Sequence, residues 1–327
     1  MPPSTATAAA SWRLCVAPML DWTDRHCRYF HRLLAPHARL YTEMVTSAAL
    51  VRGHALHLLE HSDEERPLAL QLGGSDPVEL AAAARLGAAA GYDEINLNVG
   101  CPSDRVQSGR FGACLMREPA LVADCVRAMR GAVDVPVTVK CRLGVDDQDA
   151  YADLQRFTEA VLEAGVRTLL VHARKAWLQG LSPKENREIP PLDHARVYRL
   201  KREFPELVVV INGGIGTVDE ARAHLAQVDG VMIGRAAYHD PYFLARLEQA
   251  LYGTPPPARE AVLDRLRPYA QAELARGTAL AHITRHVLGL YHGEPGARAF
   301  RRALSEGAHR LGAGWALVEQ ARPGRVA

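Results

Sequence analysis

Eight short runs rich in Val, Ile and Leu recur along this chain, with helical patterns between most of them. They are Arg13–Ala17, Ala38–Glu43, Pro67–Leu72, Glu94–Asn98, Pro136–Cys141, Thr168–His172, Leu207–Asn212 and Gly230–Gly234. Several are apolar almost throughout, as strands are when helices cover both faces of a parallel sheet. Pro77–Ala90 reads as a helix, with Asp76 as N-cap and Gly91 as its stop. Pro119–Met129, Tyr151–Ala164 before the C′ glycine Gly165, and Thr217–Ala226 read likewise. Eight strands alternating with helices over about 250 residues predict a (β/α)₈ TIM barrel. A doubly wound open sheet is the alternative. The count of eight and the lack of an early G-x-G-x-x-G favour the barrel.

The pattern changes after Gly253-Thr-Pro-Pro-Pro-Ala, a stiff linker that cannot continue a helix. Beyond it the reading is wholly helical: Arg259–Arg276, Leu280–Tyr291 and Gly296–Leu311, broken at Gly277 and Gly293. This divides the chain into a catalytic barrel at 1–252, a linker at 253–258 and an all-helical C-terminal domain at 259–327. The net charge of +2 gives no argument for nucleic acid. It hides an asymmetry, because the part from Arg259 onward carries 11 arginines, no lysine and six acids. A basic module invites an anionic partner, but +5 over such a stretch is modest, and on charge alone a solvated arginine-rich helical tail is the favoured reading.

Other classes are excluded. No apolar run approaches the roughly 20 residues of a membrane span. Met1–Ala10 has neither a basic start nor an apolar core, so a signal peptide is not expected there. Six cysteines at 15, 27, 101, 114, 125 and 141 include no C-x-x-C pair, which predicts a reducing cytoplasm. No metal cluster is expected. His282 and His286 are four apart, but lack an acid pair and read as a solvated helix face.

In a barrel, chemistry gathers at the C-terminal strand ends. Gly213-Gly214 and Gly234-Arg235 lie after the seventh and eighth runs, where barrels often build phosphate sites. Lys140 stands between Val139 and Cys141, so facing alone does not decide between a ligand contact and a snorkelling lysine. Cys101 follows Gly100 just beyond the fourth run and can serve as nucleophile or acid. Cys114 shares its loop and is a weaker candidate; the other four read as inert thiols. His172 closes an apolar run two residues before Arg174. Gln71 and Asn98 are amides that suit a heterocycle with carbonyl and N–H edges, such as a flavin or a pyrimidine.

These residues fall into ordered motifs. Ala17-Pro18-Met19 with Asp21-Trp22-Thr23-Asp24, and Glu94-Ile-Asn-Leu-Asn-Val-Gly-Cys-Pro-Ser103, resemble the flavin and catalytic motifs of tRNA-dihydrouridine synthases. Pro136–Gly144, Val171–Arg174, Asn212–Ile215 and Ile233–Arg235 complete the set. Tyr41–Met44, Lys184–Pro190 and the arginine-rich tail resemble the A-type subfamily, which reduces uridine 20, and also 20a, of the tRNA D-loop.

The resemblance implies an NAD(P)-dependent oxidoreductase with non-covalent FMN in the barrel mouth and NADPH as reductant. Pro18 and Met19 would back the flavin and Gln71 would meet its polar edge. Lys140 would stand near its N1–C2 region, and His172 would touch it. Asn212, Gly213, Gly214, Gly234 and Arg235 would hold its phosphate. A hydride would pass from flavin N5 to uracil C6, Cys101 would protonate C5, and Asn98 would bind the uracil edge. Lys184, Arg187, Arg298 and Arg301 would contact tRNA. Cys141 departs from the subfamily's frequent Met and would add a thiol near the flavin. The competing readings are a flavoenzyme of free pyrimidines or dihydroorotate, and a tRNA-binding protein without activity.

Overall fold

A computed structural model describes residues 11–324 of the chain. The readings made on Met1–Ala10 and on Arg325 lie outside the described residues. The eight strands are β1 Leu14–Val16, β2 Leu40–Thr46, β3 Leu68–Gly73, β4 Glu94–Val99, β5 Val137–Arg142, β6 Thr168–His172, β7 Val208–Asn212 and β8 Gly230–Ile233. All are parallel, and their spatial order follows the chain from β2 to β8, with β8 paired to β1. The barrel closes where Val16 N–H donates to Arg39 O and Arg39 N–H to Leu14 O, each at 2.9 Å. The predicted TIM barrel is therefore the observed fold. β2 outruns its predicted end and reaches Thr46, because its pairing with β3 shifts register between Tyr41 and Met44.

The helices form as their sequences dictate. Pro77–Ala89 starts on Asp76, whose carboxylate accepts from Glu79 N–H at 2.9 Å, and carries Pro77 in its first turn. Within it, a Cβ on Gly87 would lie 2.5 Å from Leu70 Cδ2, so the missing side chain lets helix and β3 approach. Tyr151–Glu163 ends before Gly165 at φ +96°. Two cores result. Val139, Cys141, Leu169, Val171, Val209 and Ile211 pack outward under the helices, whereas Cys15, Ala17, Tyr41, Ala69, Leu170, Val210 and Met232 fill the barrel interior.

After β8 come helices Arg235–His239 and Tyr242–Tyr252, the latter ending on Gly253 in the left-handed region. No regular element intervenes before Arg259–Ala275, Leu280–Thr284, Ala297–Gly307 and Ala316–Ala321. The predicted helix Leu280–Tyr291 is thus shorter than read. Beyond Thr284 the backbone bonds tighten to three-residue turns, such as Val287 N–H to Thr284 O. Gly289 also lies so close to His239 that a Cβ would sit 2.4 Å from its carbonyl oxygen.

The reading of His286 as solvated is corrected too. It is buried, 3.0 Å from Asp24, which Arg285 approaches to 2.5 Å. Burial would raise Asp24, but the hydrogen bond and charge of His286, the Cys27 N–H and the hydrogen bond from Arg285 override it and hold the carboxyl well below its usual range. Arg25 with Glu273 at 2.5 Å, and Tyr29 stacked on Tyr269 at 3.9 Å, bind the helical region to the first barrel helix, Arg25–Leu34. Among the described residues, no helix is long and apolar enough to cross a membrane.

Candidate active site

Strand side chains alternate between the barrel axis and the helices, so every second residue near a C-terminal strand end faces the mouth. This alternation decides the orientation of Lys140. Its Nζ reaches across the barrel to Asn212 Oδ1 at 3.3 Å, and Asn212 Nδ2 donates to Met232 O at 2.8 Å. Cys141, expected near the ligand, instead lies in the helical layer beside Val139, since it occupies the opposite phase of β5. Pairing places Asn98 beside Lys140, Arg142 beside His172 and His172 beside Asn212.

The mouth carries surplus positive charge. Burial, reinforced by Arg142, pushes the Lys140 ammonium down to about 8. Burial drives the His172 imidazole well below its ordinary range, and Arg142, Lys140, Arg174 and Arg187 add to it, so the ring is neutral at pH 7. Burial also brings Arg142 down to about 10, with Arg187 and Arg174 contributing. Arg174 and Arg187 are lowered by burial and then by Arg235. Among the described residues, the acidic side chain ion-paired with this group is Glu188, 2.5 Å from Arg235. Cations that depress one another with so little counter-charge make a site for an anion.

The two glycine turns border it. Gly213 and Gly214 adopt φ +117° and +77°. A Cβ on Gly213 would lie 2.8 Å from His172 Cδ2, so the turn lies against the imidazole. A Cβ on Gly234 would meet nothing within 4 Å, so its backbone fronts open space next to Arg235.

Cys101 sits on the loop leaving β4. Its N–H donates to Asn98 Oδ1 at 3.0 Å, its carbonyl accepts from Ala113 N–H at 2.8 Å, and Ser103 Oγ lies 3.5 Å from Sγ. Arg142 props this loop, donating to Gly100 O at 2.9 Å and to the Lys175 and Asn186 carbonyls at 3.0 and 2.9 Å. Cys101 is partly exposed, unlike Cys15, Cys27, Cys125 and Cys141. Cys114 is also partly exposed, but burial and then Glu118 raise its thiol, and its Sγ is spent on Phe111 O at 3.1 Å. Across the mouth, Met19 is fixed by Thr23, whose Oγ1 accepts from Met19 N–H at 2.9 Å.

The dihydrouridine synthase (Dus) family model matches residues 15–322. This chain belongs to the dihydrouridine synthase family. A tRNA-dihydrouridine(20/20a) synthase of Xanthomonas campestris pv. campestris is 65% identical over 319 residues, covering 98% of this chain and 95% of that protein. Proteins of the same name from Vibrio cholerae and Salmonella typhimurium are 59% and 57% identical, covering 95% and 98% of this chain and 96% and 97% of their own. Among solved structures, a 2-naphthoyl-CoA reductase in complex with 2-naphthoyl-CoA shares the fold, with a TM-score of 0.56 at 12% identity over 74% of this chain and 50% of its own.

In this member of the family, Gln71, Asn98, Lys140, His172, Asn212, Gly213, Gly214, Gly234 and Arg235 come to one end of the barrel with Pro18, Met19 and Cys101. Lys184 caps and Arg187 closes the turn Glu185–Arg187, which the buried Asn186 anchors through Trp177 and which reaches the mouth through Arg142. Arg298 and Arg301 lie elsewhere, at exposed positions of Ala297–Gly307, which buries Phe300 and Leu304. Two features escaped the sequence reading. One is Arg142, two residues past Lys140 and so in the same phase. The other is the buried Glu94, in phase with Asn96 and Asn98.

Proposed function

We propose that this chain reduces the C5–C6 double bond of uridines 20 and 20a in the tRNA D-loop to 5,6-dihydrouridine. It does so in the cytoplasm, with non-covalent FMN in the barrel mouth and NADPH as reductant. One observation carries the reading: a partly exposed Cys101 shares the mouth with a cationic pocket bordered by glycines. The donor set fits FMN. Asn212, Gly213, Gly214, Gly234 and Arg235 offer backbone groups and a guanidinium to a phosphate. Lys140 and Gln71 offer a cation and an amide to a carbonyl-rich ring edge, Pro18 and Met19 an apolar support, and His172 a neutral imidazole.

Bound there, FMN supplies the hydride that adds to C6 of the uracil ring. Cys101 gives its thiol proton to C5, which completes the reduction, and the thiolate recovers a proton from solvent through its exposed side. Asn98 orients the uracil edge. The uridine must leave its stack to reach the mouth, as in other enzymes that act on bases. Lys184 and Arg187 beside the mouth, and Arg298 and Arg301 on the helical region, hold the tRNA backbone.

The test is a half-reaction experiment. NADPH is expected to bleach the yellow protein, and unmodified tRNA to restore its colour. Cys101→Ala should keep the flavin and the NADPH step but slow restoration by tRNA about 10² to 10⁴-fold. Restoration at the wild-type rate would remove Cys101 from the proton transfer. Failure of tRNA to restore wild-type colour would refute the substrate.

A further inference from the structure

A file of hydrogen bonds runs down the barrel interior from the Cys101 loop. The N–H groups of Cys101 and Gly100 donate to Asn98 Oδ1 at 3.0 and 3.1 Å. Asn98 Nδ2 donates to Gln71 Oε1, Gln71 Nε2 to Asn96 Oδ1 and Asn96 Nδ2 to Thr138 Oγ1, each at 2.8 Å. The Thr138 hydroxyl then donates to Glu94 Oε1. All five side chains are buried.

The direction of this file is forced at both ends. Backbone N–H groups can only donate, and a carboxylate can only accept. Three amides and a hydroxyl between such ends have one self-consistent orientation. Glu94 is held as acceptor by two further donors, Trp12 Nε1 at 2.7 Å and the Tyr41 hydroxyl at 2.9 Å, and is ion-paired with Arg39, whose Nη1 lies 3.3 Å away. Gln71 and Asn98 spend their carboxamide oxygens and one N–H each inside the file. Each keeps one carboxamide N–H beyond those the file uses.

We propose that Glu94, at the opposite end of the barrel from the mouth, is a positioning residue for the reaction. Through Thr138, Asn96, Gln71 and Asn98 it fixes the polarity of the two amides that meet flavin and uracil, and it seats the Cys101 loop. Replacing the carboxylate with an amide creates a conflict that must surface somewhere. If the new amide donates to Thr138 and the file reverses, Asn98 turns its NH₂ toward the N–H groups of Gly100 and Cys101. If it donates to Thr138 without reversal, the hydroxyl accepts from both amides and its own hydrogen loses its acceptor; if it keeps its oxygen toward Thr138, the new NH₂ faces Trp12 Nε1 and Arg39.

The kinetic part of this inference rests on the proposed function; the structural part does not. The test is a double-mutant cycle of Glu94→Gln and Thr138→Val, read by flavin reoxidation with tRNA and by hydrogen exchange at Gly100 and Cys101. Each single variant is expected to slow reoxidation by about tenfold and to raise exchange at these two amides. The double variant should be no worse than the poorer single one, because Thr138→Val already cuts the file. Effects that multiply instead, with exchange at Gly100 and Cys101 unchanged, would overturn the proposal and leave Glu94 a structural partner of Trp12, Tyr41 and Arg39. If Glu94→Gln does not fold, Thr138→Val alone decides by the same exchange measurement, since it leaves Glu94 its other donors. If wild-type protein does not react with tRNA, the functional reading has failed, while hydrogen exchange still decides the file.

Discussion

Lys140 offers the most direct test of the cationic mouth. Its ammonium loses its proton near pH 8, because burial and Arg142 disfavour the charge. A carbonyl-rich ring edge accepting from the ammonium, with the FMN phosphate in the same mouth, favours the charged form and raises that value again. Binding therefore takes up a proton wherever the free protein has already lost it, and affinity falls as pH rises through 8. At pH 7 about nine-tenths of the free protein carries the charge, and at pH 9 about one-tenth, so FMN affinity should drop about tenfold over this window. The phosphate second ionisation, near pH 6, is already about nine-tenths complete at pH 7, so it raises the dianion by only about a tenth toward pH 9 and does not offset the fall. The assay is quenching of FMN fluorescence by the flavin-free protein at pH 7, 8 and 9, alongside Lys140→Met. The variant should bind more weakly at pH 7 and show a flat profile. A flat wild-type profile, or an equal slope in the variant, would refute the argument. Stability without ligand has the opposite sign. The unfolded chain keeps this proton to a higher pH, so the contribution of Lys140 rises as pH passes from 8 toward 10.5.

Arg142→Met should move the midpoint of that FMN profile above pH 8, since Arg142 is the main charge acting on Lys140; an unmoved midpoint would mean that burial alone sets it. Gly213→Ala should lower stability by about 1–3 kcal/mol in urea unfolding and weaken FMN binding, because it imposes a side chain at φ +117° against His172. Wild-type stability would show that the turn relaxes freely. The pair Arg298→Ala and Arg301→Ala should raise KM for tRNA, leave flavin reduction by NADPH intact, and lower the log–log salt slope of tRNA binding by roughly 2. An unchanged slope would exclude both residues from phosphate contact.

Much of this protein was legible in one dimension. Apolar runs alternating with helices indicate parallel strands buried on both faces, and their count of eight favoured a barrel over a doubly wound open sheet. Gln71, Asn98, Cys101, Lys140, His172 and the two glycine turns were marked by chemistry that has no cause in an apolar core. The signal was weaker where identity depends on what lies across a gap. Cys141 and Lys140 are adjacent in sequence, yet the first lies in the core under the helices and the second points across the barrel to Asn212, because the phase of β5 decides. His286 looked solvated until Asp24, 262 residues away, came within hydrogen-bond distance. Its helix stops at Thr284 because the turns beyond it fit against His239 rather than follow propensity. Local pattern thus determined the elements, their order and the family signature. Only the closed barrel decided which side of each strand faces the axis, gathered Lys140, Arg142, Arg174, Arg187 and Arg235 into one mouth where Glu188 is the ion-paired carboxylate among the described residues, and aligned Glu94 with Cys101. Those outcomes depend on distances between strands far apart in sequence, which no local run of residues encodes.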